Sequence, residues 1–317
     1  MKKIYLFLAL ALVLAVGCGK SPNVYVAGYE EGEDGNDIAV VWKNGVLQHL
    51  TDGTRYAQAK SVFVSGNDVY VAGNDGYTRA ILWKNGVAQQ LTDGMEYAQA
   101  LSVFVSGDDV YVSGFEGYIA TLWKNGVAQQ LTDGTNYAHA LSVFVSGSDV
   151  YVAGYDGYTV KTWKNGIAQE LTDGIHSAFA FSIFVSDKDV YVAGCTSDES
   201  YNSFATLWKN GVVQSLSDDG LRDTQAHSVF VSGNDVYVAG YGRGVQARWV
   251  AALWKNGVVQ HLTDEDCDAQ AFSVFVSGKD VYVSGTRSGV ATVWENGVAQ
   301  QLTDGTLVSY ANSVFVK

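Results

Sequence analysis

From residue 23 onward, short runs of alternating apolar and polar positions follow one another with Gly, Asn or Asp between them. Segments such as Ser61–Val64 (SVFV) and Val69–Gly73 (VYVAG) are rich in β-branched and aromatic residues, the composition of a strand with one buried face. Glycine-bearing turns return too often for a helix of useful length. Asn-Gly closes one segment of every cycle, as at Asn44-Gly45 and Asn85-Gly86. That dipeptide marks a tight hairpin, because both positions accept positive φ in a type I′ turn.

The cycle itself repeats. W-[KE]-N-G begins at Trp42, Trp83, Trp123, Trp163, Trp208, Trp254 and Trp294, with spacings of 41, 40, 40, 45, 46 and 40 residues. S-[VI]-F-V, V-Y-V-[AS]-G and L-[TS]-D each recur seven times in fixed order between these points. One cycle therefore predicts four antiparallel strands: A (SVFV), B (VYVAG), C (ending in the tryptophan) and D (such as Val87–Leu91). Four strands in about forty residues is the size of a propeller blade. The chain enters on a strand B (Asn23–Gly28) and leaves on a strand A (Asn312–Lys317). The expectation is an all-β, seven-bladed β-propeller of four-stranded antiparallel blades, closed by the C-terminal strand A joining the N-terminal strands B, C and D. Closure removes an edge that would invite aggregation. A linear solenoid would need atypical capping repeats, and neither end is atypical.

The repeat resembles the WD-repeat and kelch class of propellers, and the β-propeller repeat lipoproteins of bacteria, over essentially all of residues 23–317. It departs from both: Lys or Glu follows the tryptophan where a WD repeat has Asp, and the Gly-Gly pair of kelch is absent. No partner of either class transfers.

Ahead of the repeats, Lys2 and Lys3 precede an apolar run from Ile4 to Val16 that ends Ala15-Val16-Gly17-Cys18. The run is too short to span a bilayer as a helix and suits a signal peptide. Its end resembles the lipobox of bacterial lipoproteins, with Ala15 where Leu is commoner. The resemblance implies a signal peptide over 1–17, diacylglycerol on Cys18 and a tether over 18–22, ahead of the propeller at 23–317. It also implies export and anchoring, at an outer membrane or cell surface rather than an inner membrane because Gly19 follows Cys18.

Charge narrows the partners. The formal net charge is −13, and loss of the two leader lysines makes it −15. An acidic chain repels nucleic acid and anionic lipid, so nucleic acid is not expected as a partner. No cofactor or metal is expected, and the chain is read as a monomer. The single proline, Pro22, lies before the first repeat. Cys195 and Cys267 fall in different blades, and a disulfide between them is not expected.

Candidate binding residues lie where repetition fails. The seven repeat tryptophans, the strand-A Phe and the strand-B Tyr read as packing, because they recur unchanged. Three B–C connections are longer than the rest: Gly28–Trp42, Gly194–Trp208 and Gly240–Trp254. The first is acidic, the second polar with Tyr201, and the third holds Tyr241, Arg243, Arg248 and Trp249. An exposed Trp249 beside arginine would anchor a protein or peptide; a connection that packs on its own blade would bury it instead. The D–A connections carry Tyr56, Tyr97 and Tyr137, followed two residues on by Gln58, Gln99 and His139, with Phe179, Gln225, Gln270 and Tyr310 at the matching places. This set would ring the mouth of the central channel, where it suits a sugar or a peptide and equally suits satisfying the backbone groups of the loops. No Ser-His-Asp, paired-acid or metal-ligand spacing stands out, so an enzyme is not expected. Three readings stay open: a tethered propeller that binds a protein or peptide, a glycan-binding lectin-like propeller, and a lyase or hydrolase with a channel-mouth histidine.

Overall fold

The computed structural model describes residues 22–216 and 220–317; the leader and Cys18 lie outside the described residues. Twenty-eight strands, β1 to β28 in chain order, form seven four-stranded antiparallel sheets. The blade assembled from both ends, blade 1, runs β28 (Ser309–Val316), β1 (Val24–Glu31), β2 (Asp37–Lys43) and β3 (Val46–His49). Blades 2 to 7 follow as consecutive groups of four, and each innermost strand packs against those of the two adjacent blades.

Every Asn-Gly turn has the expected backbone: Asn44 and Gly45 sit at φ 51° and 77°, and the other six pairs match them closely. The seven repeat tryptophans are among the largest fully buried side chains, each packed between neighbouring blades. The strand-B glycine has a steric cause. A Cβ on Gly73 would lie 2.1 Å from the Gln58 carbonyl oxygen and 2.9 Å from the Trp83 ring. The innermost strand bulges opposite this glycine, between Ala59 and Ser61 in blade 2 and at the equivalent place in every other blade. A bulge inserts one residue and changes which side chains share a face. Ala57, Ala59, Val62 and Val64 are buried, while Gln58, Lys60, Ser61 and Phe63 turn to the axis side.

Two closed rings hold the axis. Each inner-strand serine accepts a hydrogen bond from a backbone N–H of an adjacent blade, from Val103 N to Ser61 Oγ (3.2 Å) around to Val62 N to Ser313 Oγ (3.3 Å). Below it, Phe63, Phe104, Phe144, Phe184, Phe230, Phe275 and Phe315 contact one another in sequence, with centroids 4.7–4.9 Å apart. On a regular heptagon that spacing puts each ring centre about 5.5 Å from the axis, so the phenyl rings form an apolar collar at the lower end of the channel.

Candidate functional site

Above the serine ring the sevenfold symmetry ends. The bulged position is Lys60, Leu101, Leu141, Phe181, His227, Phe272 or Asn312 in successive blades, and the next level is Gln58, Gln99, His139, Phe179, Gln225, Gln270 or Tyr310. Strand B adds Asn74, Phe115, Tyr155, Cys195, Tyr241, Thr286 and Tyr29, each directly opposite its partner at that level. Together they wall a cup that opens on the face carrying the D–A and B–C connections.

One side of the cup is aromatic. His139 stacks on Phe115 at 3.7 Å and shares a 2.9 Å hydrogen bond between Nδ1 and the Tyr155 hydroxyl, while its Nε2 has no partner among the described residues. Phe181, His227 and Tyr241 continue the stack, at 4.4 and 4.8 Å. Burial holds His139 and His227 down to about 4, so both are neutral at pH 7. Neutral imidazoles can give or take a hydrogen bond there, but contribute no charge.

The other side is polar and charged. Gln58 is buried and donates from Nε2 to Asp37 Oδ2 at 2.5 Å, while its Oε1 accepts from Lys60 Nζ. Lys60 is half-buried in the cup wall, and burial lowers its ammonium to about 8. Burial raises Asp37 above the usual carboxylate range, against the hydrogen bond from Gln58 and the charge of Lys60. Asn312 donates to the Ala59 carbonyl at 2.8 Å, and Tyr29 stacks on Tyr310 at 5.0 Å beside them. Lys60 was not singled out from the sequence, and Asp37 read there only as one acid of the acidic first connection. The available signal was Lys60 itself, a cation at a position that holds Leu or Phe in four other blades.

The cup rim carries tyrosines on blades 2 to 5. Tyr97 and Tyr137 are 42% and 43% exposed, and Tyr77, Tyr118, Tyr158 and Tyr201 are more exposed still. Tyr56 is half-buried and stacks on Tyr77 at 5.2 Å, and Gln99 donates to the Tyr97 hydroxyl at 3.1 Å. The structure thus brings Tyr56, Tyr97, Tyr137, Gln58, Gln99 and His139 to one mouth.

The third long connection differs from expectation. Trp249 is half-buried rather than exposed, edge-on to Tyr241 at 5.1 Å with the Arg243 guanidinium 4.8 Å from its ring. Tyr241 is buried in the cup wall, donating to Gln225 at 3.1 Å, and Arg248 donates to the Asp266 carbonyl at 2.6 Å. The three long connections are extended hairpins, each closed by a backbone bond across its tip: Gly32 to Asn36, Asp198 to Asn202 and Gly244 to Arg248. Tyr201, at one such tip, is the most exposed of the rim tyrosines at 82%. Cys195 and Cys267 are free thiols, and the described residues contain no cluster of three or more His, Cys, Asp or Glu able to hold a metal.

No family model matches this chain, and no curated protein matches it. Solved structures do. A Bacteroides fragilis protein assigned as a 6-phosphogluconolactonase superposes with a TM-score of 0.54 at 13% identity, over 96% of this chain and 100% of that one. A Bacteroides uniformis protein of the same assignment gives 0.55 at 15%, over 93% and 99%. A puromycin-hydrolysing peptidase of Mycobacterium tuberculosis gives 0.56 at 12%, over 88% of this chain and 51% of the peptidase. These likenesses establish a shared propeller fold.

Proposed function

We propose that this chain is an exported, lipid-anchored propeller that binds a glycan across the tyrosine-bearing half of its upper face. The observation that carries the reading is the arc of exposed tyrosines over blades 2 to 5, leading into a cup walled by Gln, His, Asn and Lys. A tyrosine ring offers an apolar face to the C–H side of a sugar and a hydroxyl to its edge. Amide and imidazole groups then serve the sugar hydroxyls. The protein or peptide reading loses its strongest anchor, because Arg243 and Tyr241 already occupy the Trp249 ring. A hydrolase reading draws support only from the names of distant fold neighbours, and no catalytic residue transfers at 12–15% identity.

The test is binding to an arrayed glycan library by the wild type and by the Tyr97→Ala, Tyr137→Ala double variant. Both rings are partly exposed, so the variant is expected to keep its melting temperature and lose at least tenfold in affinity. Binding that survives both substitutions, or no glycan bound at all, overturns the reading. The anchor is tested separately: Cys18→Ala is expected to move the protein from the membrane to the soluble fraction.

A further inference from the structure

The cup encloses a cation that makes no direct ion pair among the described residues. Lys60 stands at the bulged position, one level above the serine ring, where Leu101, Leu141, Phe181 and Phe272 stand in other blades. Its ammonium has three donors and gives one of them to the neutral Gln58. Among the described residues no carboxylate lies within ion-pair distance of it; Asp37, hydrogen-bonded to the same Gln58 amide, acts on it through space and only partly offsets its burial. Enclosing an unpaired ammonium is costly, and a residue of the Leu type fits the position in neighbouring blades. An anion delivered down the axis would supply the missing charge. Asp37 from β2 acts on Lys60, and Tyr29 from β1, Tyr310 from β28 and Tyr56 just before the strand of Lys60 gather around Asp37. One cation beside an acidic neighbour balances a monoanion better than a dianion such as a phosphate monoester.

We propose that Lys60 forms a carboxylate subsite at the floor of the cup, so that the ligand is an acidic saccharide whose terminal sugar is a uronic acid. This rests on the glycan reading above and adds the identity of the group that enters the channel. Lys60 carries its charge below about pH 8 and loses it above, so the preference for an acid over a neutral sugar fades as pH rises through that value.

Calorimetric titration of the protein in detergent with two disaccharides of one linkage, ending in glucuronic acid or in glucose, tests this at pH 7 and pH 9.5. The acidic sugar is expected to bind at least tenfold more tightly at pH 7. That preference should vanish at pH 9.5 and in Lys60→Leu, with Lys60→Gln as the second variant should the first not fold. Equal affinities in the wild type, or a preference that survives in either folded variant, overturn the proposal while leaving the glycan reading standing. Where neither sugar binds, the glycan reading falls. Free glucuronate then decides the subsite: protection of Lys60 from acetylation, read by mass spectrometry, sustains it, and unchanged labelling overturns it.

Discussion

The lower and upper faces of this propeller are made by the same strands, yet they obey different rules. On the lower face, Asp68 accepts from Asn85 at 2.8 Å, pairs with Lys84 at 2.8 Å, and Lys84 lies over Tyr70. The same Asp–Lys pair recurs in blades 3 to 6. Only the two blades at the seam depart, with Asn23 in blade 1 and Glu295 in blade 7. On the upper face, equivalent positions hold Lys, Leu, Phe, His or Asn. Positions that must fit two neighbouring blades are constrained alike seven times over. Positions above the serine ring make no contact that repeats around the ring, and chemistry there differs blade by blade.

The largest effect should come from breaking the ring. Deleting residues 311–317 removes nearly all of β28 and leaves β1 as an open edge, so thermal unfolding is expected to lose its cooperative transition or fall by more than about 15 °C. An unchanged melt would show that closure contributes little. Next, Phe144→Ala opens the lower collar and is expected to cost about 3–5 kcal/mol in chemical denaturation, as truncation of a packed aromatic does. On the upper face the sign should reverse. Lys60→Leu replaces an unpaired enclosed ammonium with the side chain of blades 3 and 4, and is expected to stabilise by about 1–3 kcal/mol at pH 7. Folding lowers the Lys60 pKa from 10.5 to about 8, so between these values the unfolded chain holds the extra proton and wild-type stability rises with pH. The advantage of Lys60→Leu should therefore shrink from pH 8 to pH 10, and a constant advantage would remove the charge explanation. The smallest effect belongs to Asp109→Asn on the lower face, whose pair with Lys124 is exposed and screened. Its melting temperature is expected to stay within error of wild type.

Much of this was legible in the sequence. The seven W-[KE]-N-G motifs set the blade number, Asn-Gly set the hairpins, and the offset between Asn23 and Lys317 set how the ring closes. Tyr56, Tyr97 and Tyr137 and the Gln58, Gln99 and His139 level were also readable, as a recurring group in the D–A connections, whereas Tyr77, Tyr118 and Tyr158 were not singled out. Trp249 left two readings open, an exposed anchor or a connection packed on its own blade, since a residue two positions from a turn gives no sign that Tyr241 and Arg243 on the facing strand will cover it. Asp37 read as one acid in an acidic connection. Its place beside Gln58 depends on blade 1 packing against blade 2, which local sequence does not encode.

The sequence by itself determined the strands, their turns and the sevenfold closure, because hydrogen-bonded hairpins and buried faces follow from short-range pattern. Only the tertiary structure decided what meets at the axis: the serine and phenylalanine rings, and the cup where Lys60 and Asp37 face the histidines across the channel. Each blade contributes one side chain per level, and the contributions are about forty residues apart along the chain. Their meeting is set by the curvature of the whole ring, and the bulge at each inner strand turns the deciding residue toward the channel.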